Sequence, residues 1–380
     1  MITKPITAFC SLNMGQSPDS KTYNTDGVGM PFYQGNADFG DLHPVTRVWC
    51  SQPVKKAKPG DILISVRAPI GAMNIATEAC CIGRGLAALT PNADTRQKYL
   101  YYAIQSRVDS LIAQGTGSTF KAISKKILEE TLIPDYSPSE QDEIVTKIGL
   151  IDSAIASRQE QLQLLDQLVK SRFIELFEGE SYVQVSFGDI CCFLRNGANI
   201  KQTKGAGGFP ITRIETLSND VFNTDRLGYA DITDLQRYEN YVLHKGDILI
   251  SHINSVAYLG RAVQYKGQLD SPIIHGMNLL CARLLEGYDP TYVEWFFKTP
   301  RAKDYISTIT KKAVNQASIT TTDLKGMQIP SPPIELQRQF AAFVEQTDKS
   351  KFLHYKALSC CRSAANLYRQ EWMTCQTSVS

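Results

Sequence analysis

Two short apolar runs, Ile62-Leu63-Ile64 and Ile248-Leu249-Ile250, each follow a Gly-Asp pair and precede a serine. An unbroken apolar run of that length predicts a strand buried on both faces, and the Gly-Asp ahead of it predicts a turn closed by the aspartate side chain. The hexapeptide Gly-Asp-Ile-Leu-Ile-Ser is identical at Gly60 and Gly246, and the likeness extends beyond it. Gly29-Met30-Pro31-Phe32 matches Gly208-Phe209-Pro210-Ile211. At one constant offset of 196, Ile133-Pro134 matches Ile329-Pro330, Gln141 matches Gln337 and Asp152 matches Asp348. The pattern predicts two similar globular bodies, each followed by a helix, an internal pseudo-dimer rather than a solenoid.

The helical segments show a different period. Ile144, Ile148, Ile151, Ile155, Leu162, Leu165 and Val169 recur at steps of four and three, interrupted by Arg158, which predicts a coiled-coil seam. Phe340, Val344, Thr347, Leu358, Cys361, Ala365, Tyr368 and Trp372 repeat the spacing in the second copy, with Lys351 and His354 at seam positions. Pro138 and Pro332-Pro333 sit where a first helical turn tolerates proline. Each seam needs an apolar partner, and antiparallel pairing of the two supplies it. From Gln141 to Phe177 such a rod is about 55 Å long. Gln141 and Gln337 are expected either to cap these helices or to face partner proteins.

Composition narrows the class. The 380 residues suit two or three domains, and the net charge of +2 is unevenly spread: +4 over residues 1–134, −6 over 135–180, +2 over 181–330 and +2 over 331–380. Two mildly basic bodies joined by an acidic connector leave room for a basic face on each. No run approaches the ~20 apolar residues of a membrane span, and no secretory leader is evident, so a cytoplasmic protein is expected. Six of the ten cysteines lie in adjacent pairs and none forms C-x-x-C, which predicts free thiols and no metal.

Catalytic signatures are missing. There is no phosphate-binding G-x-x-x-x-G-K-[ST], no H-E-x-x-H and no G-x-S-x-G around Ser65 or Ser251, and Gly205-Ala206-Gly207-Gly208 lacks a dinucleotide-loop context. Ser331-Pro332-Pro333-Ile334 has the outline of the [DNS]-P-P-[YFW] loop of amino-methyltransferases, but Ile334 cannot stack on a flipped base.

The chain resembles the DNA-specificity subunit of type I restriction-modification systems. Gly29 to Gly35, the paired Lys-Pro and His-Lys entries to the hexapeptide, the Gly117-Ser118-Thr119 loop before Ile123, and the paired Ile-Pro, proline, Gln and long-helix elements carry the likeness. The resemblance implies an α+β fold: target-recognition domains at 1–134 and 181–330, and helical spacers at 135–180 and 331–380 that form two long antiparallel coiled-coil helices. It implies a non-catalytic subunit that reads a bipartite, asymmetric double-stranded DNA sequence. Its partners would be two methyltransferase subunits and, in restricting assemblies, two translocase-nuclease subunits. No cofactor is expected in this chain; S-adenosylmethionine, ATP and Mg belong to the partners. The rival readings are a self-sufficient DNA-modifying enzyme and a coiled-coil adaptor that binds no DNA. The lead-in before Gly15 reads as short beside that from Tyr182 to Gly197, and Phe120 stands where the second half has Gln316.

Base-reading side chains should be polar and lie on loops at strand ends, where Arg grips guanine and Asn or Gln adenine. Gln34, Asn36 and Arg67 fit in the first body, and Arg213, His252, Asn254, Asn315 and Gln316 in the second. Lys21, Lys121, Lys125, Lys201, Lys204, Lys311 and Lys312 are the candidate phosphate holders.

Overall fold

A computed structural model describes residues 2–117, 121–178, 181–203, 207–313 and 316–373. The fold is α+β. The chain divides into two compact units, Met1–Glu160 with Tyr355–Ser380, and Gln161–His354.

In the first unit, Ile62–Ser65 is an inner strand of a four-stranded antiparallel sheet, flanked by Leu86–Pro91 and Met73–Ile75, with Cys10–Met14 at the far edge. Side chains alternate across a strand. Ile62 and Ile64 therefore join a core with Ile144 and Ile148 of the following helix, while Leu63 joins Tyr33, Ile82 and Leu86 on the opposite face. The second unit repeats this plan. Ile248–Ser251 lies between Leu279–Leu284 and Ala262–Gln264, with Cys191–Asn196 outermost; Ile248 and Ile250 meet the helical core and Leu249 the other side. The Gly-Asp turns also match. Asp61 accepts from the Lys58 amide at 2.7 Å and Asp247 from the His244 amide at 2.8 Å. Gly60 and Gly246 hold φ of 87° and 98°, a left-handed conformation that favours glycine. Ser65 and Ser251 are buried among these strands, in structural positions.

A small antiparallel pair closes each body: Thr3–Pro5 with Leu132–Pro134, and Gln184–Ser186 with Gln328–Pro330. This pairing corrects the reading of a short first lead-in. Gly15 follows Thr3 by 12 positions and Gly197 follows Gln184 by 13, so the lead-ins are equivalent. Outside this common frame the bodies diverge. The first has a five-stranded mixed sheet in which Met30–Tyr33 runs parallel to Cys80–Ile82; in the second, Phe209–Ile211 belongs to a three-stranded antiparallel sheet.

Two 40-residue helices follow the bodies, Pro138–Phe177 and Ile334–Met373. The first starts in a reciprocal cap: the Ser137 amide donates to the Glu140 carboxylate at 2.8 Å and the Glu140 amide to the Ser137 hydroxyl at 3.4 Å. Within the first unit, Tyr136 packs on Trp372, and Asp152 pairs with Arg369 at 2.8 Å. In the second, Asp166 pairs with Lys351 at 2.6 Å, and Phe173 and Phe177 pack on Phe340. Rising numbers on one helix meet falling numbers on the other, so the helices run antiparallel in each unit. Ile144, Ile148, Leu162, Val169, Phe340, Val344, Leu358 and Ala365 are buried, and Ile151, Ile155, Leu165, Tyr368 and Trp372 half-buried. Lys351 tolerates its seam position because Asp166 receives its charge.

Gln141 and Gln337 neither face outward nor act as simple caps. Gln337 is 0% exposed; its Oε1 accepts from the Asp289 amide at 2.9 Å, and its Nε2 donates to the carbonyls of Pro332 at 2.9 Å and Gly287 at 3.3 Å. Gln141, 2% exposed, makes the same three bonds to Arg96, Tyr136 and Asp94. Each amide bolts the start of a long helix to the segment entering a short helix of its body. Gln337→Ala leaves a buried amide proton and two carbonyls unanswered, and should cost about 2 to 4 kcal/mol, read as a lower urea midpoint at unchanged slope.

Candidate nucleic-acid interface

Gln34 and Arg67 stand just beyond the ends of the buried strands Met30–Tyr33 and Ile62–Ser65, where the backbone leaves the core and must find hydrogen bonds in loops. In the first body, four segments are laced together. The Gly85 amide donates to the Gln34 carbonyl at 3.2 Å, the Val66 amide to the Gly85 carbonyl at 2.9 Å, and the Ile123 amide to the Val66 carbonyl at 2.9 Å. Arg67 is bridged to Ala122. This lacing gathers the exposed side chains of Gln34, Arg67 and Lys121 at neighbouring strand ends. Asn36 is half-buried in the adjoining turn Asn36–Asp38. Lys125 leaves the cluster on its own short helix and pairs with Glu129 at 3.3 Å. Lys21 stands in the turn Ser20–Thr22 beside Cys50, at the Met30 end of the strand whose other end leads to Gln34.

The second body uses the matching positions with other residues. Ile211 and Ile274 bridge in parallel as Phe32 and Cys81 do, so Arg213 occupies the place of Gln34. Its Nε donates to Gln202 Oε1 at 2.6 Å, which draws Lys201 into the same patch. Beyond the hexapeptide strand, Ile253–Asn254 pairs with Ala317–Ser318, which pairs with Lys311–Lys312. Asn254, Lys311, Lys312 and the exposed Gln316 thus share one small sheet and its hairpin; Lys311 also reaches Asp323 at 3.4 Å. Asn315, Lys204, Ser118, Thr119 and Phe120 lie outside the described residues.

His252 is set apart from these groups. It is 7% exposed, its carbonyl accepts from the Ile319 amide at 2.9 Å, and burial lowers its imidazole below the ordinary value. It therefore braces the hairpin from beneath. His275 is buried too and is likewise lowered by burial; its Nδ1 lies 3.1 Å from the Tyr241 carbonyl.

Two surface groups escaped the sequence reading. Arg84 is exposed between Gly83 and Gly85, on the segment laced to Gln34; flanking glycines were the available signal. Arg195 stacks on Tyr241, its guanidinium carbon 3.8 Å from the ring centroid, and nothing in the spacing of the two foretold that contact.

Chemically, the described surfaces offer donors and cations at strand ends. Burial pushes the thiols of Cys10 and Cys80 up to about 12, so they are poor nucleophiles at neutral pH. Among the described residues no disulfide forms, no group of three His, Cys, Asp or Glu side chains could hold a metal, and no helix is long and apolar enough to cross a membrane.

The fold is that of a duplicated α+β protein whose two bodies share a frame and differ in the loops at their strand ends. The chain belongs to the family described as the type I restriction modification DNA specificity domain, whose model matches residues 3–167 and 180–356. It is 40% identical over 161 residues to the putative type I restriction enzyme MjaX specificity subunit of Methanocaldococcus jannaschii, covering 42% of this chain and 38% of that protein. It is 24% identical over 268 residues to the type I restriction enzyme EcoKI specificity subunit of Escherichia coli K12, covering 64% and 55%. The chain thus spans about two fifths to a little over half the length of these relatives. The crystal structure of a type I restriction-modification system S subunit from M. genitalium shares the fold, with a TM-score of 0.54, 16% identity and 99% and 96% coverage.

The buried histidines give the second body a pH signature. Their folded values lie below the ordinary value near 6.5, so the unfolded chain binds more protons as pH falls. The stability they contribute is complete well above pH ~6.5 and is lost as pH drops through that value toward the folded ones. Urea midpoints should fall in that window, and His275→Gln should flatten the slope.

Proposed function

We propose that this chain is the non-catalytic address-reading subunit of a type I DNA methyltransferase, each body reading one half of a split, asymmetric target. One observation carries the reading: the frame is duplicated while the tips are not. Asp61 and Asp247, Ser65 and Ser251, and Gln141 and Gln337 keep their roles, yet Gln34 is answered by Arg213 and Lys121 by Ala317. Selection for folding alone would leave tips free to drift, but cations and amides at both sets of strand ends suit two different half-sites.

In this reading the recognition domains are residues 1–134 and 181–330, and the helical spacers 135–180 and 331–380. Each 40-residue helix is about 60 Å long, enough to set half-sites one DNA turn or more apart. Exposed apolar side chains on the helices, among them Leu150, Leu164, Leu168, Phe352 and Leu353, support docking of two methyltransferase subunits there. S-adenosylmethionine, and ATP with Mg where translocase-nuclease subunits join, would sit on those partners in the cytoplasm. Gln34, Asn36, Arg67, Arg213, Asn254, Asn315 and Gln316 are the proposed base readers, and His252, a candidate by residue type, is buried two residues before Asn254. Lys21, Lys121, Lys125, Lys201, Lys204, Lys311 and Lys312 are the proposed phosphate holders.

Methylome sequencing of cells with and without the chain tests the assignment: one bipartite motif should lose its mark. Exchanging residues 1–134 for another member's first body should change one half of that motif only, and a change in both halves or neither sinks the modular reading. Lys121→Ala should weaken binding of the assembled complex to all sequences alike and lower the salt slope by about one.

A further inference from the structure

We propose that Tyr258, with Val256 beside it, is a specificity-determining contact of the second body that reads an A·T base pair through the thymine 5-methyl group. The inference deepens the reading above and rests on it. Five residues separate Ser65 from Gly71 in the first body, whereas eight separate Ser251 from Gly260 in the second. Both loops close with the same bond, from the glycine amide to the serine carbonyl, at 2.9 and 2.8 Å. The longer loop carries a 3-10 turn, Val256–Tyr258, whose flanking side chains are 53% and 48% exposed.

Single exposed apolar residues are ordinary. Tyr258 differs in being braced. The Arg261 guanidinium carbon lies 4.8 Å from the Tyr258 ring centroid. Arg261 is held in turn: its Nε is 2.8 Å from Asp220 Oδ1, and its Nη1 donates to the Leu217 carbonyl at 2.8 Å. Asp220 sits with Asn219 in a two-residue hairpin turn, both at positive φ, which fixes where the carboxylate points. A second loop thus holds an exposed ring in place, and a ring already held loses little freedom on contact.

The surroundings select the occupant. Val256 lies two residues beyond Asn254, which faces Ala317, which faces Lys312. At about 4.8 Å per strand, Lys312 is roughly 10 Å from Asn254, so the apolar tip stands beside cations suited to a phosphate backbone. In the major groove, the apolar feature that a base pair presents is the thymine methyl. The first body places Arg67 at the start of its shorter loop, which suits a different base.

The test uses the full chain assembled with its methyltransferase partner, and duplexes carrying the motif that wild type marks, with each thymine replaced in turn by uracil. One uracil, confined to one half of the motif, should slow wild-type methylation about 10-fold. Tyr258→Ala should slow the parent duplex by a similar factor and no longer distinguish uracil from thymine at that position, while Tyr258→Phe behaves as wild type. Val256→Ser should give a partial loss, with melting temperatures unchanged for all three variants. Uracil tolerated at every position, Tyr258→Ala retaining full discrimination, or a half-site without an A·T pair overturns the inference. A wild-type assembly that marks no sequence at all defeats the reading of the protein itself, whereas specific marking indifferent to Tyr258 defeats this contact alone.

Discussion

Each body is fastened to its long helix through one buried side-chain amide, and the rest of the architecture depends on that joint. A glutamine that is 0% or 2% exposed must satisfy its oxygen and its nitrogen inside the protein. Gln141 and Gln337 do so by binding two backbone segments each, the lead-in to the long helix and the stretch that enters a short helix of the body. A tyrosine reinforces each joint. Tyr99 donates to the Pro134 carbonyl and Tyr292 to the Pro330 carbonyl, tying the short helix of the body to the strand that leads into the long helix. Such bonds have direction, which apolar packing lacks, so they set the angle at which a helix leaves its body. Under the proposed reading of two half-sites, that angle is a functional quantity.

Against this fixed frame, variation is confined to where it does no harm. The hexapeptide strand is buried on both faces and its turn is closed by its own aspartate, so a substitution there disturbs two cores at once. Loop residues such as Arg67, Arg213 and Asn254 bear little of that load. One element of the frame differs between the bodies: Arg283 grips Asp247 through two bonds of 2.7 and 2.8 Å, and its guanidinium carbon stands 5.3 Å from the Phe193 ring centroid. The second body is thereby stiffened beside Arg195, His275 and Tyr241, since Phe193 also meets Arg195 and His275, and Arg195 stacks on Tyr241.

The helices show how a seam tolerates imperfection. Lys351 interrupts the apolar repeat, yet its side chain is 15% exposed and reaches Asp166 with its ammonium while its stem packs along the seam. Beside the seam residue Tyr368, Arg369 pairs with Asp152 in the other unit. Both pairs are oriented, and each specifies an antiparallel register that leucines and isoleucines alone would leave open.

Periodicity and repetition were legible without coordinates. The double-faced strand, the Gly-Asp turn, the two long helices and the doubling of the whole plan follow from local rules about which side chains water rejects and which backbones glycine permits. The tips were legible only in part. Residue type marked Gln34, Arg67 and Lys121 as candidates, but their gathering depends on backbone bonds among segments far apart in the chain. His252 carried the chemistry of a reading residue, yet its side chain is buried. Gln141 was expected to cap its helix or to face a partner, and it fastens the helix to its body from within. Those outcomes turn on burial, which is settled by how distant segments pack, whereas the pattern of apolar positions is a property of each segment by itself.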